Sequence, residues 1–247
     1  MIDVLSEPGR LALQAFLTPG VLLAFDYDGT LAEITPDPAR ACMRPLTRSL
    51  LEKAAHCHTT LLLTGRSRRE ALHFLDGVAD IRVVGNHGSE TDATPNGHVP
   101  DAIARWKGQL DAALAPLAGV VIEDKTHSLS VHYRHAVDQE AAGAAVLEAT
   151  SRLDGARIVG GKCVVNVVPR DALHKGTALL AEARRVRAER AIFVGDDVTD
   201  EDVFALDGPL PIFSIRVGED ARSRARYFIH GQAQIDALLQ QLIGSDR

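Results

Sequence analysis

Val21-Leu22-Leu23-Ala24-Phe25-Asp26-Tyr27-Asp28-Gly29-Thr30 decides the fold. Five apolar residues in a row read as a strand buried on both faces, the pattern of a parallel sheet covered by helices. The run ends in two carboxylates and a glycine. Ligands in open α/β sheets bind outside the carboxyl ends of such strands, so Asp26 and Asp28 stand where chemistry is done. Residues two apart in an extended chain point the same way, which would let one Asp attack an electrophile while the other handles protons, with a metal between them. Asp and Gly also end strands as plain turn formers, and this stretch alone leaves both readings open.

Three further segments narrow the choice. Thr64 ends the apolar run Leu61-Leu62-Leu63 and is followed by Gly65-Arg66; Lys175 lies in His174-Lys175-Gly176; and Ala191-Ile192-Phe193-Val194 runs into Gly195-Asp196-Asp197-Val198-Thr199-Asp200. The opening D-x-D-G-T, a Thr ending a second strand, a Lys and a late G-D-D-x-x-D, in this order, resemble the haloacid dehalogenase superfamily of phosphatases. Between and after these segments strands and helices alternate. Strands are expected at 21–26, 59–63, 81–85, 191–195 and 212–217. Helices are expected at 45–55, at 67–77 behind the capping box Ser67-Arg68-Arg69-Glu70, from 175 to about 187, from about 199, and at 235–243. Such alternation predicts a doubly wound, Rossmann-like parallel sheet with right-handed crossovers.

The segment from Glu90 to about Val168 breaks that rhythm. It holds the turn residues Thr94-Pro95-Asn96-Gly97, a helix around Trp106, and strands near Val120, Ser128 to Arg134, Ile158 and Lys162 to Val168. We read it as an inserted α/β cap domain at 91–168, with the core made of 1–90 and 169–247.

A chain of 247 residues with 46% hydrophobic content is long enough to bury a sizeable core. A formal net charge of -6 argues against nucleic acid as a partner, since nucleic-acid binders carry a basic patch. The apolar runs are too short to span a bilayer and the N-terminus has no basic region before a long apolar core, so no membrane partner is expected and the expected location is cytoplasmic. Cys42, Cys57 and Cys163 are odd in number and lack C-x-x-C spacing, which suggests neither a disulfide framework nor a zinc site.

Within the expected cap, Ser128-Leu129-Ser130-Val131-His132-Tyr133-Arg134 alternates polar with apolar residues, so Ser128, Ser130, His132 and Arg134 share a face that is either solvent or ligand. Lys125 precedes them, and Lys162 and Asn166 fall on a facing strand. The spacing from Lys125 to Arg134 is similar to that of the trehalose-6-phosphate phosphatases, the family with a type IIB cap. So are Gly85-Asn86-His87-Gly88-Ser89-Glu90, Gly161-Lys162-Cys163-Val164-Val165, and the run from Gly195 to Glu201. The resemblance extends from about Leu22 to Val217. One position departs from it: Asn166 stands where the family usually carries Glu, which keeps hydrogen bonding and loses charge.

The resemblance implies a Mg²⁺-dependent phosphatase that converts trehalose 6-phosphate to trehalose and phosphate through an aspartyl-phosphate. It implies Asp26 as nucleophile, Asp28 as acid and base, and Thr64 and Lys175 as holders of the phosphoryl oxygens. It implies Asp26, Asp196 and the Asp28 carbonyl as metal ligands, backed by Asp197 and Asp200. Substrate binding would fall to Gly65, Arg66, His87, Lys125, Ser128, His132, Arg134, Lys162, Asn166 and Glu201. A trehalose-6-phosphate synthase is the implied functional neighbour. Asn166 keeps open a phosphatase for another sugar phosphate, such as sucrose or glucosylglycerol phosphate. A non-catalytic regulatory module is the further alternative, against which the pair Asp26 and Asp28 speaks.

Overall fold

The computed structural model describes residues 1–75, 77–92, 101–161, 163–170, 174–208 and 210–244. In chain order these give β1 (Ile2–Asp3), α1 (Glu7–Phe16), β2 (Val21–Phe25), α2 (Pro45–Cys57), β3 (Thr59–Leu63), α3 (Arg68–Phe74) and β4 (Ile81–Val84). There follow α4 (Asp101–Leu114), β5 (Val121–Asp124), β6 (Leu129–His132), α5 (Gln139–Ser151), β7 (Ala156–Gly161) and β8 (Val164–Pro169). The chain then continues through α6 (Lys175–Arg185), β9 (Arg190–Gly195), α7 (Glu201–Phe204), β10 (Ile212–Val217), β11 (Tyr227–Ile229) and α8 (Ile235–Ile243). Contacts divide it into two units, Met1–Thr91 with Leu173–Arg247, and Asp92–Ala172.

In the first unit the described strands form a parallel sheet in the order β1-β11-β10-β9-β2-β3-β4. The strand that opens the sequence argument, β2, is buried at all five positions. Its side chains alternate between two cores. Val21, Leu23 and Phe25 join the cluster built with Leu50, Leu51, Ala54, Leu238 and Leu242 of α2 and α8. Leu22 and Ala24 join the one built with Ala178, Leu179 and Ala183 of α6 and Val203 of α7. Each fully buried Val, Leu or Phe contributes about 1.5–3 kcal/mol, so both faces of β2 anchor the strand whose end carries Asp26. On either side of β2 lie β9 and β3, with Phe25 in register with Val194 and with Leu62. The chain order reverses at this strand, and such a switch point opens a crevice at the strands' carboxyl ends.

The second unit is an antiparallel sheet in the order β5-β6-β8-β7. Leu129, Val131, Val165 and Val167 turn one face of it onto α4 and α5, around the buried Trp106. The Trp106 indole donates to the Asp154 carbonyl at 3.0 Å, which satisfies its one polar group. Antiparallel sheets with one face covered by helices leave the other free to carry polar residues, and here that face carries Glu123, Ser130 and Asn166 in cross-strand register. No helix among the described residues is long and apolar enough to cross a membrane.

The candidate phosphoryl site

Three adjacent strands end at the same place, and each delivers one part of the site. Past β2, the Asp26 amide donates to the Val194 carbonyl at 2.9 Å, continuing the ladder one residue beyond the strand. Asp26 is thereby held with only 5% of its surface exposed. Past β3, Thr64 donates to the Val84 carbonyl at 3.0 Å, and its own hydroxyl oxygen accepts from the Arg66 amide at 3.2 Å. At the end of β9, Gly195 leads into the acidic turn.

Asp200 organises that turn. Its Oδ2 accepts from the amides of Asp196 at 2.8 Å and Asp197 at 3.0 Å, and its Oδ1 meets Lys175 Nζ at 2.8 Å. Asp197 caps the same turn by accepting from the Thr199 amide and hydroxyl at 2.7 and 2.6 Å. Lys175, at the first turn of α6, also reaches Asp26 Oδ1 at 3.0 Å. Two glycines make the close approach possible. A Cβ on Gly29, whose φ of +82° already favours glycine, would lie 2.1 Å from Asp196 Oδ2, and one on Gly195 would lie 2.3 Å from Asp200 Cγ.

Electrostatics here are unbalanced: four carboxylates, Asp26, Asp196, Asp197 and Asp200, face the ammonium of Lys175. Burial pushes the Asp26 carboxyl well above its ordinary value; Lys175 opposes this and the neighbouring carboxylates add to it. Burial, with Asp200 and Asp197 beside it, raises Asp196 to about 7. Asp197 goes the other way: burial disfavours its charge, but Lys175 and the Thr199 donors outweigh it and hold the carboxyl below its ordinary value. For Lys175, too, burial is outweighed, by Asp200 and Asp26, which hold the ammonium charged. One oxygen each from Asp26, Asp196 and Asp200 lie within 4.8 Å of one another. A cluster of hard oxygen donors with surplus negative charge fits a divalent cation such as Mg²⁺. Both Asp200 oxygens are already engaged, which suits it to bracing the turn rather than to ligation. The expected pair Asp26 and Asp196 remains, with the Thr30 hydroxyl donating to Asp196 Oδ1 at 3.3 Å.

Several expected site residues have other partners than the sequence suggests. Asp28, half-buried, gives its carboxylate to Arg66, which donates from Nε to Oδ2 at 2.7 Å and from Nη2 to Oδ1. Arg66 was expected against substrate. The imidazole of His87 lies against Gly65, where a Cβ would come within 2.5 Å of Cε1, and its amide donates to the Thr64 carbonyl at 3.0 Å. Asn86 and His87 both have φ in the left-handed region, at 48° and 56°, a strained turn of the kind found at functional sites. Glu201 faces Arg216 Nη1 at 3.3 Å and accepts from the Arg224 amide at 2.9 Å, which ties α7 to β10 and to the loop that precedes β11.

In the second unit, Ser130 donates to Asn166 Oδ1 at 2.6 Å, with both residues buried. His132 Nε2 lies 2.8 Å from Glu123 Oε2, and Lys125 Nζ lies 3.7 Å from the same oxygen. Glu123 was not singled out in the sequence. Its signal was its place on β5 opposite Ser130, legible only once the register was known. Ser128 is buried; Arg134 lies beyond β6, with its carbonyl accepting from Gln139 at 2.8 Å. Lys162 lies outside the described residues.

A sequence profile of the trehalose-phosphatase family matches residues 24–225. The trehalose-phosphate phosphatase of Mycobacterium avium is 34% identical over 73% of this chain and 49% of its own length. That of Mycobacterium marinum is 32% identical over 92% of this chain and 61% of its own length. The chain thus spans about half to three-fifths of these relatives. Among solved structures, the C-terminal domain of the C. albicans trehalose-6-phosphate phosphatase superposes with a TM-score of 0.80 over 100% of this chain and 99% of that one, at 19% identity.

Proposed function

Since the chain belongs to the trehalose-phosphatase family, we propose that it hydrolyses trehalose 6-phosphate to trehalose and phosphate, with Asp26 as the residue that becomes phosphorylated. The observation that carries the chemistry is the placement of Asp26: it ends the central strand, lies 3.0 Å from a buried ammonium, and shares its cluster with three more carboxylates.

A phosphate monoester dianion and an Asp carboxylate repel, by roughly 4 kcal/mol per unit pair at about 4 Å and an effective dielectric near 20. Lys175 supplies part of the compensation. Asp26, Asp196 and the Asp28 carbonyl would hold Mg²⁺, which when bound offsets the rest of the negative charge. An Asp26 oxygen then attacks phosphorus while the bond to the sugar oxygen breaks, and Asp28 gives that oxygen its proton. In the second half Asp28 takes a proton from water, the water oxygen attacks phosphorus, and the bond to Asp26 breaks to release phosphate. Thr64 and Lys175 hold the phosphoryl oxygens throughout. Asp197 and Asp200 keep Lys175 and the acidic turn in place. The polar residues Lys125, Ser128, His132, Arg134, Lys162 and Asn166 recognise the sugar. On this reading the enzyme is cytoplasmic and works downstream of a trehalose-6-phosphate synthase.

Phosphate release across trehalose 6-phosphate, sucrose 6-phosphate, glucosylglycerol phosphate and glucose 6-phosphate, with and without Mg²⁺, tests this. Trehalose 6-phosphate should lead in kcat/KM, and Asp26→Asn should abolish turnover of every ester. Another ester leading would overturn the substrate assignment; activity surviving in Asp26→Asn would overturn the covalent route.

A further inference from the structure

We propose that Arg66 is the positioning residue for Asp28: its guanidinium fixes the carboxylate that transfers protons and is not spent on substrate. This rests on the acid and base role given to Asp28 above. The two side chains meet side-on, Nε to Oδ2 at 2.7 Å and Nη2 to Oδ1, the geometry in which Arg combines strength with direction. The same Nη2 donates to the Pro38 carbonyl at 2.9 Å.

Aromatic rings back the guanidinium. Its Cζ lies 4.4 Å from the Phe74 ring centre and 5.4 Å from that of Tyr27, and the two rings are 5.4 Å apart. The Tyr27 hydroxyl donates to the Ala41 carbonyl at 3.0 Å, fixing the ring from its far end. The Arg66 amide is bonded to the Thr64 hydroxyl oxygen, so the residue starts from a fixed point at the end of β3.

The Arg66 side chain is 8% exposed and that of Asp28 37%. A carboxylate exposed to that degree would ordinarily sample several χ1 wells. A buried fork held by a carbonyl and two rings selects one of them. Misplacement of a reacting group by about 1 Å can cost on the order of 100-fold in rate, so the clamp has enough leverage to matter.

Steady-state kinetics of Arg66→Ala and Arg66→Lys, alone and combined with Asp28→Asn, on the best sugar phosphate and on p-nitrophenyl phosphate test the proposal. Arg66→Ala should lower kcat on the sugar phosphate by roughly 10- to 100-fold with KM little changed. The loss should be smaller on the nitrophenyl ester, whose leaving group needs no proton. Millimolar guanidinium should restore part of it, and in the Asp28→Asn background Arg66→Ala should add nothing. A higher KM at unchanged kcat would make Arg66 a substrate contact and overturn the proposal. So would equal loss on both esters, full additivity with Asp28→Asn, or faster turnover without the arginine. If Arg66→Ala does not fold, Arg66→Lys keeps charge and stem but not the fork, and the split between esters is read there. Failure of the wild type on trehalose 6-phosphate alone would count against the substrate assignment and not against this proposal, because the split is read on whichever sugar phosphate turns over.

Discussion

Lys175 and Asp26 form a buried ion pair, Nζ to Oδ1 at 3.0 Å, with side chains 2% and 7% exposed. Removing one partner of such a pair leaves an uncompensated buried charge, which typically costs about 3–5 kcal/mol. Lys175 also holds Asp200, so its loss frees two carboxylates to repel each other. Lys175→Met should therefore lower the thermal midpoint by several degrees in metal-free buffer as well as silence turnover. Calorimetry with and without Mg²⁺ checks this, and an unchanged midpoint would show that the ammonium does not hold the cluster together.

The crowded carboxylates should also make stability sensitive to divalent cations. A ligand that binds the folded chain and not the unfolded one stabilises by about 2.7 kcal/mol at 100 times its Kd. Mg²⁺ should raise the midpoint of the wild type in a concentration-dependent way, and the shift should largely vanish in Asp196→Asn. Equal shifts in both proteins would place the cation elsewhere.

Gly29→Ala isolates the geometry of the acidic turn. The added Cβ would meet Asp196 Oδ2 at 2.1 Å, and a left-handed backbone costs a non-glycine residue roughly 1–2 kcal/mol. We expect a folded protein, only modestly destabilised, with a weakened Mg²⁺ requirement curve and at least about 10-fold lower kcat/KM. Circular dichroism paired with Mg²⁺-dependent phosphate release separates the two effects.

Asn166→Glu asks what the second unit recognises. Its Oδ1 already accepts from Ser130, and a Glu carboxylate could accept the same proton. If trehalose 6-phosphate is the substrate, kcat/KM on it should hold or rise. A sharp fall, with the wild type favouring another sugar phosphate, would mean that Asn166 marks a different substrate.

His58 links pH to the packing of α2 on α8. Burial lowers its pKa, and the hydrogen bond from Nε2 to the Leu242 carbonyl at 3.1 Å offsets only part of that. The unfolded chain, titrating near about 6.5, therefore takes up the proton more readily. The stability contributed by neutral His58 is present above that pH and is lost as pH falls through the folded value. Comparing midpoints near about pH 7.5 and pH 5.5, the acid-induced drop should be smaller in His58→Gln than in the wild type.

Much of the core was legible because β2, β3 and β9 carry apolar runs that stop abruptly; β3 and β10 begin and end at the residues expected. Helix α3 starts behind the Ser67 and Glu70 capping box, though it stops at Phe74 rather than near 77. What escaped has physical reasons. β1 and β11 are two and three residues long, too short for any periodicity, and α5 is so rich in alanine that it shows no clear apolar stripe. At the site, residue types were readable but pairings were not. Arg66 and Asp28 are 38 positions apart, and Glu201 meets Arg216 across 15, distances over which only the fold decides who meets whom.

The central place of β2 also bears on how the chain is made. Its register partner on one side, Ile192 beside Leu23, lies 169 residues downstream. A ribosome, which delivers the N-terminal side first, must therefore release Ile192 and its strand before β2 acquires its second neighbour. Until then Val21 to Phe25 presents an unpaired apolar edge, a template for wrong pairing. Non-local strand pairing of this kind slows folding, so nascent-chain protection by chaperones should bear on the yield of folded protein.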